Sequence, residues 1–294
     1  MSIKAFLNGY YRSGTTLLWW IMRISNLANP VLYEPTSPVL LDFLRKWVNN
    51  RWYGKIDGLH KLPIFDGYFM LPKPCLEKFM TTQSGADVYT SPEMAFKTLD
   101  PLKDCNVDVI LKTCQLHPIL NDVAKRYDCN YVHLIRMPTD NFVSHLGHDL
   151  RQTTRLLAIA ERKITDPRID GAFWMKSIYE KASKKLGVTV PPNDYIGKFI
   201  IAWTYCNLEA IRQTEKSDRG LVVYFHNVVK NPKMEFVRME KHLGVKFNRA
   251  YAGLIDVRKA HSAPDWLKIY FIERFKALGL WTYFKEIMGG RYEA

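Results

Sequence analysis

The sequence contains no run of 18 consecutive apolar residues, so no segment reads as a membrane-spanning helix. No basic stretch followed by an apolar core opens it, and Arg12 interrupts the first apolar run, so we expect no secretory leader. Cysteine is scarce and odd in number: Cys75, Cys105, Cys114, Cys129 and Cys206. None forms a C-x-x-C pair or a Cys/His ligand spacing. Reduced thiols, a cytoplasmic setting and no metal site are the expectation. Lys and Arg exceed Asp and Glu to give a net charge of +13, yet no Lys/Arg block appears. Dispersed positive charge suits a small, multiply charged anion at least as well as a nucleic acid, and we expect no nucleic-acid partner. Internal repeats and low-complexity segments are also missing.

What is present is ordinary for a globular chain: 47% apolar and 24% charged residues. Eight Trp, sixteen Tyr and fifteen Phe are enough to line a pocket as well as fill a core. A length of 294 residues is compatible with one large domain. We expect a single domain over 1–294.

The chain is organised around residues 6–18, Phe-Leu-Asn-Gly-Tyr-Tyr-Arg-Ser-Gly-Thr-Thr-Leu-Leu. Ile3 to Leu7 reads as a buried strand and Leu17 to Leu27 as a helix. Strand, tight turn and helix start form an anion cradle, because free backbone N–H groups and the positive helix end face one point. Gly9 and Gly14 have the G-x-x-x-x-G spacing of a Walker A loop, and Thr16 stands at its Ser/Thr position. Thr15 occupies the place of the lysine that would reach the β/γ-phosphates, and the nearby cation is Arg12.

Beyond the loop, Val31-Leu32-Tyr33 reads as a short strand leading to Glu34-Pro35, with Ser37 capping a helix from Pro38 to Val48. Residues 50 to about 105 read as an irregular, Pro-, Gly- and aromatic-rich insertion on the substrate side. Strands are predicted at 107–112, 131–136 and 221–225. Helices are predicted at 118–127, from Met137-Pro138 to about Leu150, and from Asn231-Pro232 to His242, closed by Gly244. A helical region spans about 150–216, broken near Asp166-Pro167 and Val190-Pro191-Pro192, and the tail from Asp265 to Met288 is helical. Alternating strands and helices at these lengths give an α/β fold with a mostly parallel central sheet flanked by helices.

Four segments then ask for one explanation: Arg12-Ser13-Gly14-Thr15-Thr16-Leu17; the strand ending in Arg136-Met137-Pro138, with Ser144 eight residues beyond Arg136; Tyr224-Phe225 through Asn231-Pro232; and Arg258-Lys259-Ala260 followed by Asp265-Trp266. In this order they resemble the sulfotransferases that use 3′-phosphoadenosine 5′-phosphosulfate. The first resembles the family's 5′-phosphosulfate loop. The second resembles its 3′-phosphate strand. The third is similar to its YEDL…P turn, with His226 and Asn227 in place of the acidic pair. The fourth is similar to its RKG…DW segment, carrying one extra residue. The resemblance spans nearly the whole chain. It implies a P-loop-NTPase-like sulfotransferase fold, with Arg12, Ser13, Gly14, Thr15, Thr16, Leu17, Arg136, Ser144, Phe225, Arg258 and Lys259 binding the donor and its 3′,5′-bisphosphate product.

The resemblance further implies metal-independent, in-line sulfuryl transfer to a hydroxyl of a small molecule, glycan or peptide. Arg12, the loop amides and Lys112 would stabilise the leaving and bridging oxygens. Two residues compete as general base. Glu34 lies 22 residues past Arg12, similar to the placement in carbohydrate and protein-tyrosine sulfotransferases. His117 lies three residues past Cys114, which stands where small-molecule sulfotransferases carry a catalytic His in a K-T-H motif. A second reading of the near-Walker loop is a P-loop nucleotide kinase or nucleotide-binding protein.

Overall fold

A computed structural model describes residues 3–36, 40, 44, 66–82, 92–146, 153–161, 173–255 and 263–289. Five strands form one parallel sheet in the order β2-β3-β1-β4-β5: β1 (Ile3–Gly9), β2 (Val31–Tyr33), β3 (Val109–Thr113), β4 (Asn130–Ile135) and β5 (Gly220–Tyr224). The first four are almost wholly buried, which is why they read as continuous apolar runs rather than alternating ones. β1 sits at the centre, with Leu7 level with Lys112 on one side and Val132 on the other. All five strands point the same way, so five loops leave one edge of the sheet. Open α/β sheets bind ligands at that edge.

Helices join and cover the strands. α1 (Thr15–Ser25) follows β1 and buries Leu18, Trp19, Ile21 and Met22 against the sheet. It starts two residues earlier than the apolar run alone suggests, because Gly14, in the left-handed conformation at φ 99°, serves as its N-cap. The expected irregular insertion contains helices in its described part: α2 (Asp66–Phe69), α3 (Lys73–Thr82) and α4 (Pro92–Lys103). Pro92 opens its helix and Pro74 lies in a first turn, where proline is tolerated. Pro101 lies inside α4, near its end, so the stretch is helical in spite of that proline. Cys75 of α3 and Cys105 just after α4 are joined as a disulfide, with Cα atoms 5.7 Å apart. This corrects the expectation of reduced thiols throughout, which followed from spacings that pair nothing locally. Cys114, Cys129 and Cys206 are free and buried.

α5 (Leu120–Tyr127) leads to β4 and α6 (Pro138–His145) leaves it; α6 ends five residues before the predicted Leu150, with Leu146 extended. α7 (Thr153–Ala160) and α8 (Phe173–Leu186) precede α9 (Tyr195–Glu215), a 21-residue helix buried along most of its length. Asp194 caps α9 by accepting from the Gly197 N–H at 2.8 Å, and Arg274 pairs with the same carboxylate. After β5 come α10 (Phe225–Lys230), α11 (Pro232–Leu243), α12 (Asp265–Ala277) and α13 (Trp281–Met288). Phe225 thus opens a helix instead of ending the strand. One apolar cluster joins α1, α5 and α11 to the sheet, and a second packs α6, α9, α12 and α13 around Phe199 and Trp203. The Ser37 cap, most of the 38–48 helix, residues 50–65, the Asp166-Pro167 break and the pair Arg258–Lys259 lie outside the described residues. Among the described residues, no helix is long and apolar enough to cross a membrane and no cluster of metal-ligating side chains occurs.

Candidate active site

Each strand hands a residue or loop to the shared edge. Loop 10–14 follows β1, Glu34 follows β2, Cys114 follows β3, Arg136 follows β4 and Phe225 follows β5. Strand geometry, not chain proximity, assembles them.

The loop folds tightly: Ser13 N–H donates to the Tyr10 carbonyl at 3.0 Å. No side chain caps α1, and its first turn contains no acid. The helix end is therefore left positive, as an anion site requires. Phe225 lies directly on this turn. A Cβ on Gly14 would stand 2.4 Å from its ring, so only glycine admits the contact. Arg136 completes the cluster. Its guanidinium sits over the Phe225 ring, 5.1 Å from the centroid, and its Nη1 donates to the Arg12 carbonyl at 3.2 Å. From behind, Trp203 Nε1–H of α9 donates to the Arg136 carbonyl at 3.2 Å. Three separate sequence motifs thus meet at one point. Ser144 is partly buried in the last turn of α6, and Leu17 is partly buried in α1.

Beneath the loop lies a polar cluster that the sequence resolves less well. Lys112 is almost wholly buried; its Nζ pairs with the Glu34 carboxylate, stands 3.3 Å from Cys114 Sγ and lies 4.1 Å over the Tyr33 ring. Burial opposes its charge, but Cys114, Glu34 and Tyr33 together hold its pKa well above the ordinary lysine value. The ammonium therefore stays charged and is turned towards Glu34. In this structure its partner is Glu34. Burial, opposed by Lys112, pushes the Cys114 thiol up to about 11, which leaves it neutral near pH 7. Thr15 Oγ1 is 3.7 Å from that thiol, and Thr16 Oγ1 is 3.2 Å from the Tyr33 hydroxyl. Tyr33 itself was missed, although its place beside Glu34 was a usable signal.

Strain is concentrated here. Among the described residues, Arg12 (φ 63°), Glu34 (φ 49°) and Asp128 (φ 51°) are the non-glycine residues in the left-handed region. Asp128 is the C-cap of α5, an ordinary place for it. The other two are the cation and the carboxylate singled out for chemistry. Such conformations cost about 1–3 kcal/mol each and cluster at functional sites.

His117 goes elsewhere. It is fully buried in a short 3-10 turn, with its ring 5.3 Å from that of His133 and 6.3 Å from that of Tyr10. Burial first, then His133, holds its pKa well below the usual histidine value. His133 is the polar centre that sequence reasoning overlooked, a histidine inside an apolar strand. Its Nδ1 accepts from Asn8 Nδ2 and its Nε2–H donates to Asn207 Oδ1, both at 3.0 Å.

No family model matches the chain. An "Uncharacterized protein" of Archaeoglobus fulgidus is 28% identical over 301 residues, covering 95% of each chain. Among solved structures, the chain is similar to the sulfotransferase domain of the Synechococcus PCC 7002 olefin synthase, at 17% identity and a TM-score of 0.42, covering 99% of this chain and 94% of that one. The sulfotransferase domain from the curacin biosynthetic pathway gives 15% and 0.43, covering 98% and 97%. The mouse sulfotransferase SULT7A1 complexed with PAP gives 12% and 0.42, covering 98% and 84%.

Proposed function

We propose that the protein is a sulfotransferase, moving a sulfuryl group from 3′-phosphoadenosine 5′-phosphosulfate to a hydroxyl acceptor. The observation that carries this reading is the convergence of the loop, Arg136 and Phe225. A donor charged at both ends needs two neighbouring anion sites, and this cluster supplies them. The uncapped start of α1 and Arg12 suit the 5′ end. Arg136, with Ser144 on the helix that follows it, suits the 3′-phosphate, with Arg258 and Lys259 as further cations for the same group. The lysine of a Walker A loop is replaced by Thr15, whose hydroxyl faces the Cys114 thiol, which fits a ligand without a γ-phosphate.

Glu34 is the base in this reading. It is one-sixth exposed, whereas His117 is wholly enclosed, so only Glu34 has access to an incoming acceptor. Lys112 orients it, and the electrostatic work at the leaving group falls to Arg12 and the loop amides.

Calorimetry with adenosine 3′,5′-bisphosphate tests the reading. Binding is expected without added magnesium, and Arg136→Ala should weaken it roughly 10- to 100-fold, the cost of about 1.5–3 kcal/mol for a lost charge-assisted contact. Tight, magnesium-dependent ATP binding with no affinity for the bisphosphate would overturn it in favour of a nucleotide kinase.

A further inference from the structure

Glu34 adopts a backbone conformation that its neighbours should forbid. A φ of 49° is costly for any residue with a Cβ, and the following Pro35 biases position 34 further towards extended backbone with negative φ. Something must hold it there. Two hydrogen bonds hold the peptide plane that enters it. On one edge of that plane the Glu34 N–H donates to the Lys112 carbonyl at 2.7 Å. On the opposite edge the carbonyl of Tyr33 accepts from the Tyr68 hydroxyl at 2.8 Å.

Tyr68 belongs to α2, in the stretch that the sequence marks as an insertion. It is fully buried, with its ring 5.5 Å from that of Phe79. Burial first, then Glu34, keeps the phenol pKa well above its ordinary value, so the hydroxyl remains a donor. α2 is itself fixed at two further points. Arg23 of α1 reaches Asp66 at 3.5 Å. Gly67 lies against β2 so closely that a Cβ there would stand 2.5 Å from the Val31 carbonyl oxygen. α2 is thus strapped across β2, the strand that leads to Glu34.

We infer that Tyr68 is a positioning residue. Together with the Lys112 carbonyl it holds the peptide plane that enters residue 34, from which the left-handed φ departs, so that the carboxylate is aimed before any acceptor arrives. This rests on the reading of Glu34 as the base, and it assigns to the insertion the task of preorganising that base. Preorganisation of this kind matters because a displacement of about 1 Å can cost roughly 100-fold in rate.

Two measurements test the inference, and the first needs no activity. Glu34→Gly and Glu34→Ala both delete the carboxylate, so their difference isolates the backbone. With Tyr68 intact, Glu34→Gly should melt about 2 °C above Glu34→Ala, because glycine tolerates positive φ. With Tyr68→Phe added to each, residue 34 relaxes and the gap should close. A gap that survives Tyr68→Phe overturns the clamp. The second measurement is steady-state sulfuryl transfer. Tyr68→Phe should lower kcat at least roughly tenfold while KM for the donor stays within about twofold. In a Glu34→Ala background the same change should have no further effect. An unchanged kcat, or an equal loss in both backgrounds, also overturns the inference. If the wild-type protein neither binds the bisphosphate nor transfers sulfuryl groups, the sulfotransferase reading fails, while the melting gap still decides the clamp.

Discussion

At the level of single residues, the pair Lys112–Glu34 is asymmetric, and the asymmetry makes a prediction. Lys112 is 1% exposed and Glu34 17%. Removing the carboxylate strands a charge in the interior; removing the ammonium leaves a carboxylate that water still reaches. Breaking a buried pair costs about 3–5 kcal/mol because of the uncompensated charge left behind. Glu34→Gln should therefore destabilise the protein by close to that amount, and Lys112→Met by clearly less, since the thioether also fills the space of the lysine stem. Urea midpoints for the two variants check the order; equal losses would mean that Lys112 is hydrated in solution. The contact between Lys112 and Glu34 was not legible in sequence. A lysine at a strand end beside a candidate phosphate loop reads as an anion ligand. Only the parallel register that sets Tyr33 level with Lys112 turns its head towards Glu34 instead.

Among the elements, the closest fit in the site is between the β1–α1 turn and the start of α10. Gly14 meets two independent demands: its φ of 99°, and a Phe225 ring that leaves no room for a Cβ. Gly14→Ala should cost about 3 kcal/mol, combining backbone strain with overpacking. Adding Phe225→Leu removes the steric part alone and should restore roughly half of the loss in thermal denaturation. A double variant no more stable than the single one would show that Phe225 does not rest on the loop. The elements themselves were mostly legible. Four strands are short apolar runs between helical stretches, and α11 ends at Gly244 as its αL C-cap, as predicted. The failures have physical causes. The α2–α4 stretch was misread because Pro74 and Pro92 fall in first helical turns and α4 carries Pro101 inside it, and α1 began early because a left-handed Gly14 caps it without any Ser, Thr, Asp or Asn. Within the site, residues at strand ends could be found from motifs. Tyr68 could not, because its hydrogen bond to the Tyr33 carbonyl crosses 35 residues of chain without periodicity.

For the molecule as a whole, the sheet and α9 are joined through buried polar groups whose protonation sets an acid limit to stability. Asn8 Oδ1 accepts from Thr113 Oγ1, so its amide nitrogen faces His133 Nδ1; Asn207 Nδ2 donates to the Trp203 carbonyl, so its oxygen faces His133 Nε2. Both neighbours thereby fix a neutral imidazole, and protonating Nδ1 would set donor against donor. Burial, opposed by the Asn207 contact, pushes the His133 pKa down from 6.5 to about 4. Burial, with Arg12 next, takes His145 down to about 3, and His117 is lowered as well. A pKa lower in the folded than in the unfolded state means that the unfolded chain binds the extra proton, so stability is full above about pH 6.5 and falls as pH drops towards 4. Between pH 7 and 5 His133 alone should remove about 2 kcal/mol, at 1.36 kcal/mol per pH unit below its unfolded pKa. Acids such as Asp100, whose pKa is lowered by its hydrogen bond to Arg126, add to the loss only nearer pH 4 and below. His133→Gln separates the effect, since a glutamine amide can offer the same acceptor to Asn8 and the same donor to Asn207 without titrating. Guanidinium midpoints measured from pH 7 to 5 should fall less steeply for His133→Gln than for the wild type, by about one proton in the linkage slope. Parallel slopes would place the acid sensitivity in His117 and His145, on the loop side of the sheet, and remove His133 from the account.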